Sequence, residues 1–551
     1  DDFVQENSKI EIEDNHKSFK EARILGSVKS LDEIVIIEIK RIRAEKSRAN
    51  ITKELFKFLE NLGYSKALII TFSDNENHYR FSYIKSNLEW VSETKVKRKF
   101  SNPKRLSFLL GKNQKIHTAL KQFIKLGKIK DLEDLNSRFD IEIVNKEFFE
   151  NYISLYNQLV GYLNKDKKFK SFTSKNKIKI GVFAKKLLGQ IIFCYFLQKK
   201  GWLGAKENES INQGDLNFIR NQFINYNKKK NFFNDCLEPL FYKGLNKQNK
   251  NNYCYDLRCK IPYLNGDLFQ EVENYSWKES YLNIPNKLFS NIEANGILDI
   301  FDLYNFTVDE TADFDVEIAV DPEMLGYIFE NLLPENLRKK HGAHYTPKEI
   351  VEYICKKSLS EYLKTNIDKK YLKEIDNLIG YSRFPDETIR LADNKTLNLN
   401  FDKEFLLEID LLLENIKICD PAVGSGAFIL GILNFIVNIK KITFYFSKNR
   451  ILKNLYEVKR NLIENNLFGI DIDYGAIETC KLRLWLSLTI DEDDIVKPLP
   501  NLDFRIIQGN SLIEEFDGIN LDIVLETGSQ QELSISSDEK NENIQELYKL
   551  Q

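Results

Sequence analysis

The chain contains no uninterrupted apolar run near eighteen residues and no charged-then-apolar leader pattern. Neither a membrane-spanning helix nor a recognisable secretory signal is therefore expected. Cysteine is sparse and odd in number: seven residues, spread from Cys194 to Cys480, with no C-x-x-C pair. That excludes a disulfide framework and points to reduced thiols in a cytoplasm. Cys254 and Cys259 lie close together, but no His pair or second Cys pair completes a zinc set. A charge excess is missing as well, since 80 Lys and Arg stand against 82 Asp and Glu, for a net charge of −2. The chain as a whole does not announce a polyanion partner, and any affinity for nucleic acid has to come from local basic surfaces. The phosphate loop G-x-x-x-x-G-K-[ST] does not occur, and there are no internal repeats. Polar, linker-like stretches are confined to residues near 204–214 and 243–252.

What is present is length and apolar content enough for several domains: 551 residues, 42% of them hydrophobic, predict about three. The most informative stretch is Ile416-Lys417-Ile418-Cys419-Asp420-Pro421-Ala422-Val423-Gly424-Ser425-Gly426-Ala427-Phe428, which ends a strand in a Gly-rich loop and opens an apolar helix. Gly424 and Gly426 carry no Cβ, so the backbone can adopt positive φ and approach a ligand closely. Asp420 falls at a strand's carboxyl end, where open α/β sheets bind ligands. The dinucleotide pattern G-x-G-x-x-G is not met, because position 429 is Ile. Two readings remain, a nucleoside-cofactor cradle and a tight strand-to-helix turn without a ligand.

The whole phrase Asp-Pro-Ala-x-Gly-Ser-Gly-Ala-Phe resembles the S-adenosylmethionine (SAM) loop of N6-adenine DNA methyltransferases, which implies cofactor contacts at Asp420, Pro421, Ala422, Gly424 and Gly426. Upstream, Gly342-Ala343-His344-Tyr345-Thr346-Pro347-Lys348-Glu349 reads as a helix start, with Thr346 as cap, Pro347 at the first position and Glu349 closing a capping box. Free N–H groups there suit an anion such as the methionine carboxylate of SAM. The segment resembles the motif preceding the loop in that family, which implicates Tyr345, Thr346 and Pro347. An ordinary capped surface helix is the other reading. Downstream, Asn466-Leu467-Phe468-Gly469-Ile470-Asp471-Ile472-Asp473 predicts a second parallel strand whose Asp471 accepts ribose hydroxyls. A third strand, Phe504 to Gln508, leads to Asn510, which the resemblance places against the adenine ring of SAM and which can both donate and accept. The helical run Ala476–Leu488 reads as core. The resemblance covers roughly residues 315 to 525 and starts near Asp321-Pro322-Glu323-Met324.

The amino-terminal strand Ile34-Val35-Ile36-Ile37-Glu38-Ile39-Lys40 puts Glu38 and Lys40 on one face, since side chains alternate along a strand. This resembles the ExK strand of PD-(D/E)xK nucleases, and a charged helix from about Ile51 to Leu62 followed by the strand Ala67–Phe72 gives the order such a core has. The resemblance implies catalysis by Asp32, Glu38 and Lys40, with Mg²⁺ held by Asp32 and Glu38 and with Glu33 as substitute for Asp32. An accidental ExK on an edge strand is the alternative. Nuclease-like domain, helical connector and adenine methyltransferase in that order resemble single-chain type IIG restriction-modification enzymes of the Eco57I-like class, and also methyltransferases of phage-exclusion defence systems. Pro103-Lys104-Arg105-Leu106-Ser107-Phe108-Leu109-Leu110-Gly111, Gln198–Leu203 and Ile261–Phe269 resemble phrases of those proteins.

The expected fold is therefore α/β: a PD-(D/E)xK nuclease-like unit at 1–125, a helical connector at 126–312 with a core stripe through Ile191, Phe193, Tyr195 and Phe196, and a Rossmann-like SAM domain at 313–525. Residues 526–551 form a polar tail without a role. The base-clamping Asn/Asp-Pro-Pro-aromatic segment of adenine methyltransferases is absent: Leu521-Asp522-Ile523-Val524-Leu525 is followed by Glu526-Thr527-Gly528-Ser529-Gln530. Since Asp1 is not a native initiator either, these residues are expected to be part of a longer protein. Basic surfaces are Lys95, Lys97, Arg98, Lys99, Lys104 and Arg105, and then Lys165, Lys167, Lys168, Lys170, Lys175, Lys177 and Lys179; phosphate contact and ordinary solvated faces are both open. The expectation is a cytoplasmic restriction-modification protein using SAM and Mg²⁺ on double-stranded DNA, self-associating there and free of membranes. Alternatives are a defence-system adenine methyltransferase without cleavage and a non-catalytic, SAM-responsive DNA-binding module.

Overall fold

The structure, a computed structural model, describes residues 3–520 with interruptions, the longest at 308–314, 329–345 and 492–498. The strand expected at 521–525 and the tail at 526–551 lie outside the described residues, as does Tyr345.

The amino-terminal half is built on one seven-stranded sheet: β1 Phe3–Ile10, β2 Phe19–Val28, β3 Ile34–Arg41, β4 Lys66–Ser73, β5 His78–Lys85, β6 Lys104–Gly111 and β7 Asp315–Glu317, adjacent in that order. Neighbours are antiparallel except β3 with β4 and β6 with β7. Helix α1, Arg48–Asn61, is the crossover that a parallel β3–β4 pair requires. β-Branched residues fill β3, and Val35, Ile37 and Ile39 bury against Leu55, Phe58 and Leu59 of α1. The opposite face of β5 and β6 packs into an aromatic cluster in which Phe81 and Phe108 meet Phe123 with ring centroids 5.3 and 5.5 Å apart. This joins the sheet to the connector without a break in the core.

Strand β7 falls just past the boundary expected between residues 312 and 313. It returns after the whole connector and completes the first sheet, where Arg80 donates from both terminal nitrogens to a buried Glu317 oxygen at 3.1 Å. A short strand whose pairing lies two hundred residues away leaves no local signature.

The described residues between β6 and β7 are mostly helical. Helix α2, Ile141–Lys165, starts on an Asp140 cap whose side chain accepts from the Glu142 N–H. Helix α3, Ile180–Lys199, is buried on all sides from Leu187 to Gln198, and Ile191, Phe193 and Phe196 are fully inaccessible. The carboxy-terminal half comprises α4 Lys348–Asn366, α5 Lys403–Asn415, β8 Ile418–Asp420, α6 Ala427–Lys448, α7 Leu455–Asn465, β9 Leu467–Asp471, α8 Tyr474–Thr489 and β10 Ile506–Gln508. β8, β9 and β10 form a parallel sheet in that order, so their carboxyl ends open on one edge.

Helices α3 and α6 have the length and composition of membrane spans, contrary to the expectation of none. Their apolar runs are broken in sequence by Lys185–Lys186 and Lys440–Lys441, and 72% and 56% of their most apolar windows are buried inside the molecule, as in core helices.

One buried carboxyl in the connector titrates far from its usual range. Burial raises Glu238 to about 7, although Tyr275 and Asn234 hydrogen bond to it and favour its charge. Its folded pKa is thus above that of an unfolded Glu, about 4.3, so it stabilises fully below that value and the contribution is lost as pH rises to about 7. Glu238→Gln should therefore be more stable than the parent at pH 8 by on the order of 2–3 kcal/mol and gain little at pH 4.5, read by urea denaturation at both pH values.

Candidate functional site

At the carboxyl edge of the second sheet the loop from Asp420 to Gly426 folds onto Asp471. Asp420 closes an Asx turn, its Oδ1 accepting the Ala422 N–H at 3.1 Å. Its Oδ2 is buried and has no partner among the described residues. Burial raises the Asp420 carboxyl above its ordinary pKa; the Asp471 charge adds to this and the Ala422 amide opposes it. Gly424 and Gly426 both adopt left-handed backbone, with φ of 51° and 87°. A Cβ on Gly426 would lie 2.7 Å from Sγ of Cys480, so α8 sets how tightly the loop is wound.

Asp471 ties the loop to the second strand. Its Oδ2 accepts the Gly424 N–H at 2.8 Å and its Oδ1 accepts the Asp473 N–H at 2.9 Å. Gly469 sits two residues back because a Cβ there would approach Val423 Cγ2 to 2.8 Å. The Gly509 N–H donates to the Asp471 carbonyl, and Ser511 Oγ to the Pro421 carbonyl at 2.8 Å, which brings the Asn510 turn against the loop. Asp420, Pro421, Ala422, Gly424, Gly426, Asp471 and Asn510 thus lie on neighbouring segments at one edge of the sheet. Sequence reasoning missed the exposed apolar side chains of the neighbouring turns, Ile472 at 50% and Leu512 at 85% exposure. The interleaved Asp471-Ile472-Asp473 was the available signal.

Thr346 and Pro347 do not join by the expected route. The cap of α4 is Pro347, with extended backbone and no side-chain cap bond, so the Thr346–Glu349 capping box is not made. Proline has no N–H, and its own carbonyl already accepts from Ile350 and Val351, which starts the helix one residue later than expected. Helix α4 meets the first turn of α6 further along, where Cys355 Sγ approaches the Phe428 carbonyl at 3.6 Å. Between α4 and β8 runs an open groove of about 510 Å³, lined by Ile354, Tyr362, Ile418, Asp420, Pro421 and Phe428.

The cleft suits a nucleoside with a cationic sulfonium and amine. It offers an orphaned carboxylate oxygen on Asp420, a glycine backbone without side chains in the way, and acceptor capacity on Asp471, where the two amides leave lone pairs for hydroxyls.

On β3, Glu38 and Lys40 share a half-exposed face, as the alternation predicts. Their partners are not those of a metal site. Arg23, the cross-strand neighbour of Glu38, donates to Glu38 Oε1 from two nitrogens at 2.7 Å, and Lys40 Nζ lies 2.8 Å from Asp74 Oδ2. The Asp74 bond raises the Lys40 pKa and lowers that of Asp74. Asp32 corrects the expectation most clearly. It and Glu33 both take left-handed backbone in the turn before β3, and Asp32 points to Lys66 at 3.3 Å. The strand from Ile34 to Glu38, roughly 13 Å of extended chain, lies between it and Glu38. No group of three His, Cys, Asp or Glu able to hold a metal ion exists among the described residues. The residues present do not fit a Mg²⁺ site, so no chemistry is derived through that ion.

No family model matches the chain. Among individual proteins it is 30% identical over 479 residues to RM.MjaORFECS2P of Methanocaldococcus jannaschii, named as a type II restriction enzyme and methyltransferase; the match covers 79% of this chain and 37% of that protein. It is 36% identical over 121 residues to the type II restriction enzyme and methyltransferase RM.Eco57I of Escherichia coli, covering 19% of this chain and 12% of that one. A third relative is the adenine-specific methyltransferase PglX of Lacticaseibacillus casei, 24% identical over 32% of this chain and 15% of its own length. The chain is thus a homologue of proteins named for restriction and modification, and spans little more than a third of the longest-matching one. Among solved structures, the type IIL restriction-modification enzyme MmeI in complex with DNA superposes with a TM-score of 0.36 and 17% identity over 68% of this chain and 41% of that one. The DrdV–DNA complex gives 0.24 and 11% over 89% and 34%, and neither likeness is close enough to define the fold.

The Gly426 geometry yields a direct test. Gly426→Ala combines a left-handed φ with a 2.7 Å approach to Cys480 Sγ, and should cost about 1–3 kcal/mol of stability, measured as a fall in unfolding temperature. Unchanged unfolding would mean that the loop is not packed against α8 in this way.

Proposed function

We propose that residues from about 313 to 525 are the SAM-binding part of an adenine-N6 DNA methyltransferase of Rossmann-like fold, within a restriction-modification polypeptide that acts on double-stranded DNA in the cytoplasm. One observation carries this reading: Asp420, Gly424, Gly426 and Asp471 meet at the carboxyl edge of a parallel sheet, with the Gly424 amide fixed on the Asp471 carboxylate. Asp471 then holds the ribose hydroxyls, Asp420 Oδ2 takes the methionine amine, and the turn at Asn510 reads the adenine edge. Bound there, SAM supplies an electrophilic methyl group on sulfonium sulfur. The glycine loop excludes side chains from its path and α8 keeps the loop wound through Cys480. The base-clamping Asn/Asp-Pro-Pro-aromatic segment is absent from the sequence, so these residues by themselves lack the groups that would orient a flipped adenine.

DNA would be held by local basic faces. Lys165, Lys167, Lys170, Lys175 and Lys179 are all exposed along one connector segment, and no ion pair engages them among the described residues. Residues 1–125 form the ExK unit in this reading and 126–312 the connector, with β7 reaching back to the first sheet. A defence-system methyltransferase without cleavage is the second reading, and a non-catalytic SAM-responsive module a third. The second is favoured by Arg23 sitting on Glu38 where a nuclease would place another acid.

Calorimetry with SAM tests the assignment. The chain should bind, and Asp471→Asn should weaken binding by about tenfold or more, the loss of a charge-assisted bond to hydroxyl and amide. Absence of binding to the parent chain would refute the reading. Transfer of labelled methyl to adenine in duplex DNA, tried with the full-length gene product, separates the enzyme from the binding module.

A further inference from the structure

The connector helix α3 meets the start of α8, beside the proposed cofactor edge. A cleft of about 110 Å³ lies between it and the start of α8, with Val182, Lys185 and Gly189 on one wall and Asp473, Glu478 and Leu482 on the other. Lys185 is half-buried there and makes no ion pair or hydrogen bond among the described residues. The carboxylate it faces, Asp473, caps α8 through the Gly475 N–H at 3.3 Å and has no ion pair within contact distance among the described residues. The Asp473 amide is the donor to Asp471 Oδ1, and Asp471 Oδ2 is the acceptor for Gly424. Ammonium, capping carboxylate, ribose-binding carboxylate and glycine loop therefore form one physical series from connector to cradle.

We propose that Lys185 is a positioning residue through which the connector sets the affinity of the cofactor cleft, by holding the Asp471–Asp473 turn against the glycine loop. The inference rests on the reading of that cleft as the SAM site. Three carboxylates, Asp420, Asp471 and Asp473, crowd one edge, and Asp420 feels the Asp471 charge. A cation across from Asp473 offsets that repulsion where water is partly excluded, so its field is stronger than it would be at the surface. Without it the turn is free to move the Asp473 amide off Asp471, and the ribose acceptor loses its orientation. Burial in the cleft lowers the Lys185 pKa from that of an ordinary lysine, with the Asp473 charge opposing. The other charged or titratable groups facing it are Lys186 on its own helix and Tyr474 and Glu478 on α8.

Titration calorimetry with SAM on the full chain, at about pH 7 and about pH 9.5, decides it. Lys185→Met should weaken SAM by about tenfold without a fall in unfolding temperature, and Lys185→Arg should restore affinity to within roughly twofold. Asp473→Asn should match the Met variant, and the double variant should lose no more than either alone. Because burial brings loss of the Lys185 charge to lower pH than in an ordinary lysine, affinity of the parent should fall relative to that of Lys185→Arg as pH is raised, after the same correction for the ligand's own amine. Should the Met variant fold poorly, Lys185→Gln, which keeps the stem and a polar head, gives the same comparison. A parent that binds SAM while the Met or Gln variant binds equally well at both pH values overturns the role of Lys185. A parent that binds no SAM overturns the cofactor reading itself, a separate outcome.

Discussion

The bond from the Gly424 amide to the Asp471 carboxylate is what the carboxy-terminal half is arranged to make. It joins a loop that only glycine can wind to a strand that emerges parallel to the one before it. Everything on either side serves its geometry: Gly469 lets Val423 lie on the strand, Cys480 leaves space only for hydrogen at Gly426, and Arg483 holds the Ser425 carbonyl from below. A carboxylate so placed is pre-oriented without having spent all its acceptor capacity, which is the condition for binding a diol quickly and in one pose.

Legibility in the sequence followed how local the physics was. The glycine loop and Asp471 were readable because strand, turn and helix succeed one another within a few residues, and because positive φ has few side-chain solutions. The alternation that put Glu38 and Lys40 on one face was equally local. Asp32 was misjudged because its role depends on how the β2–β3 hairpin turns: two consecutive left-handed residues swing it to Lys66 and not toward Glu38. The α4 start was misread by one residue, since Pro347 itself became the cap. Strand β7 could not be read at all, because its three residues pair in parallel with β6, some two hundred residues earlier, and a buried Arg80–Glu317 pair that no local pattern announces is added across the sheet.

That pair also bears on how the halves work together. Arg80 and Glu317 are both buried, so removing either partner would leave an uncompensated charge in the sheet that β7 completes. The strand immediately precedes the segment that leads into the carboxy-terminal half. The amino-terminal sheet, the connector and the carboxy-terminal half share one continuous apolar core, a mechanical basis for a change at one end being felt at the other.

The most direct test of the central claim is the amide resonance of Gly424 in protein labelled with ¹⁵N-glycine, followed as SAM is added. The account predicts that this resonance shifts saturably, and that Asp471→Asn moves it before any ligand is present. A Gly424 signal indifferent to both SAM and the substitution would contradict it.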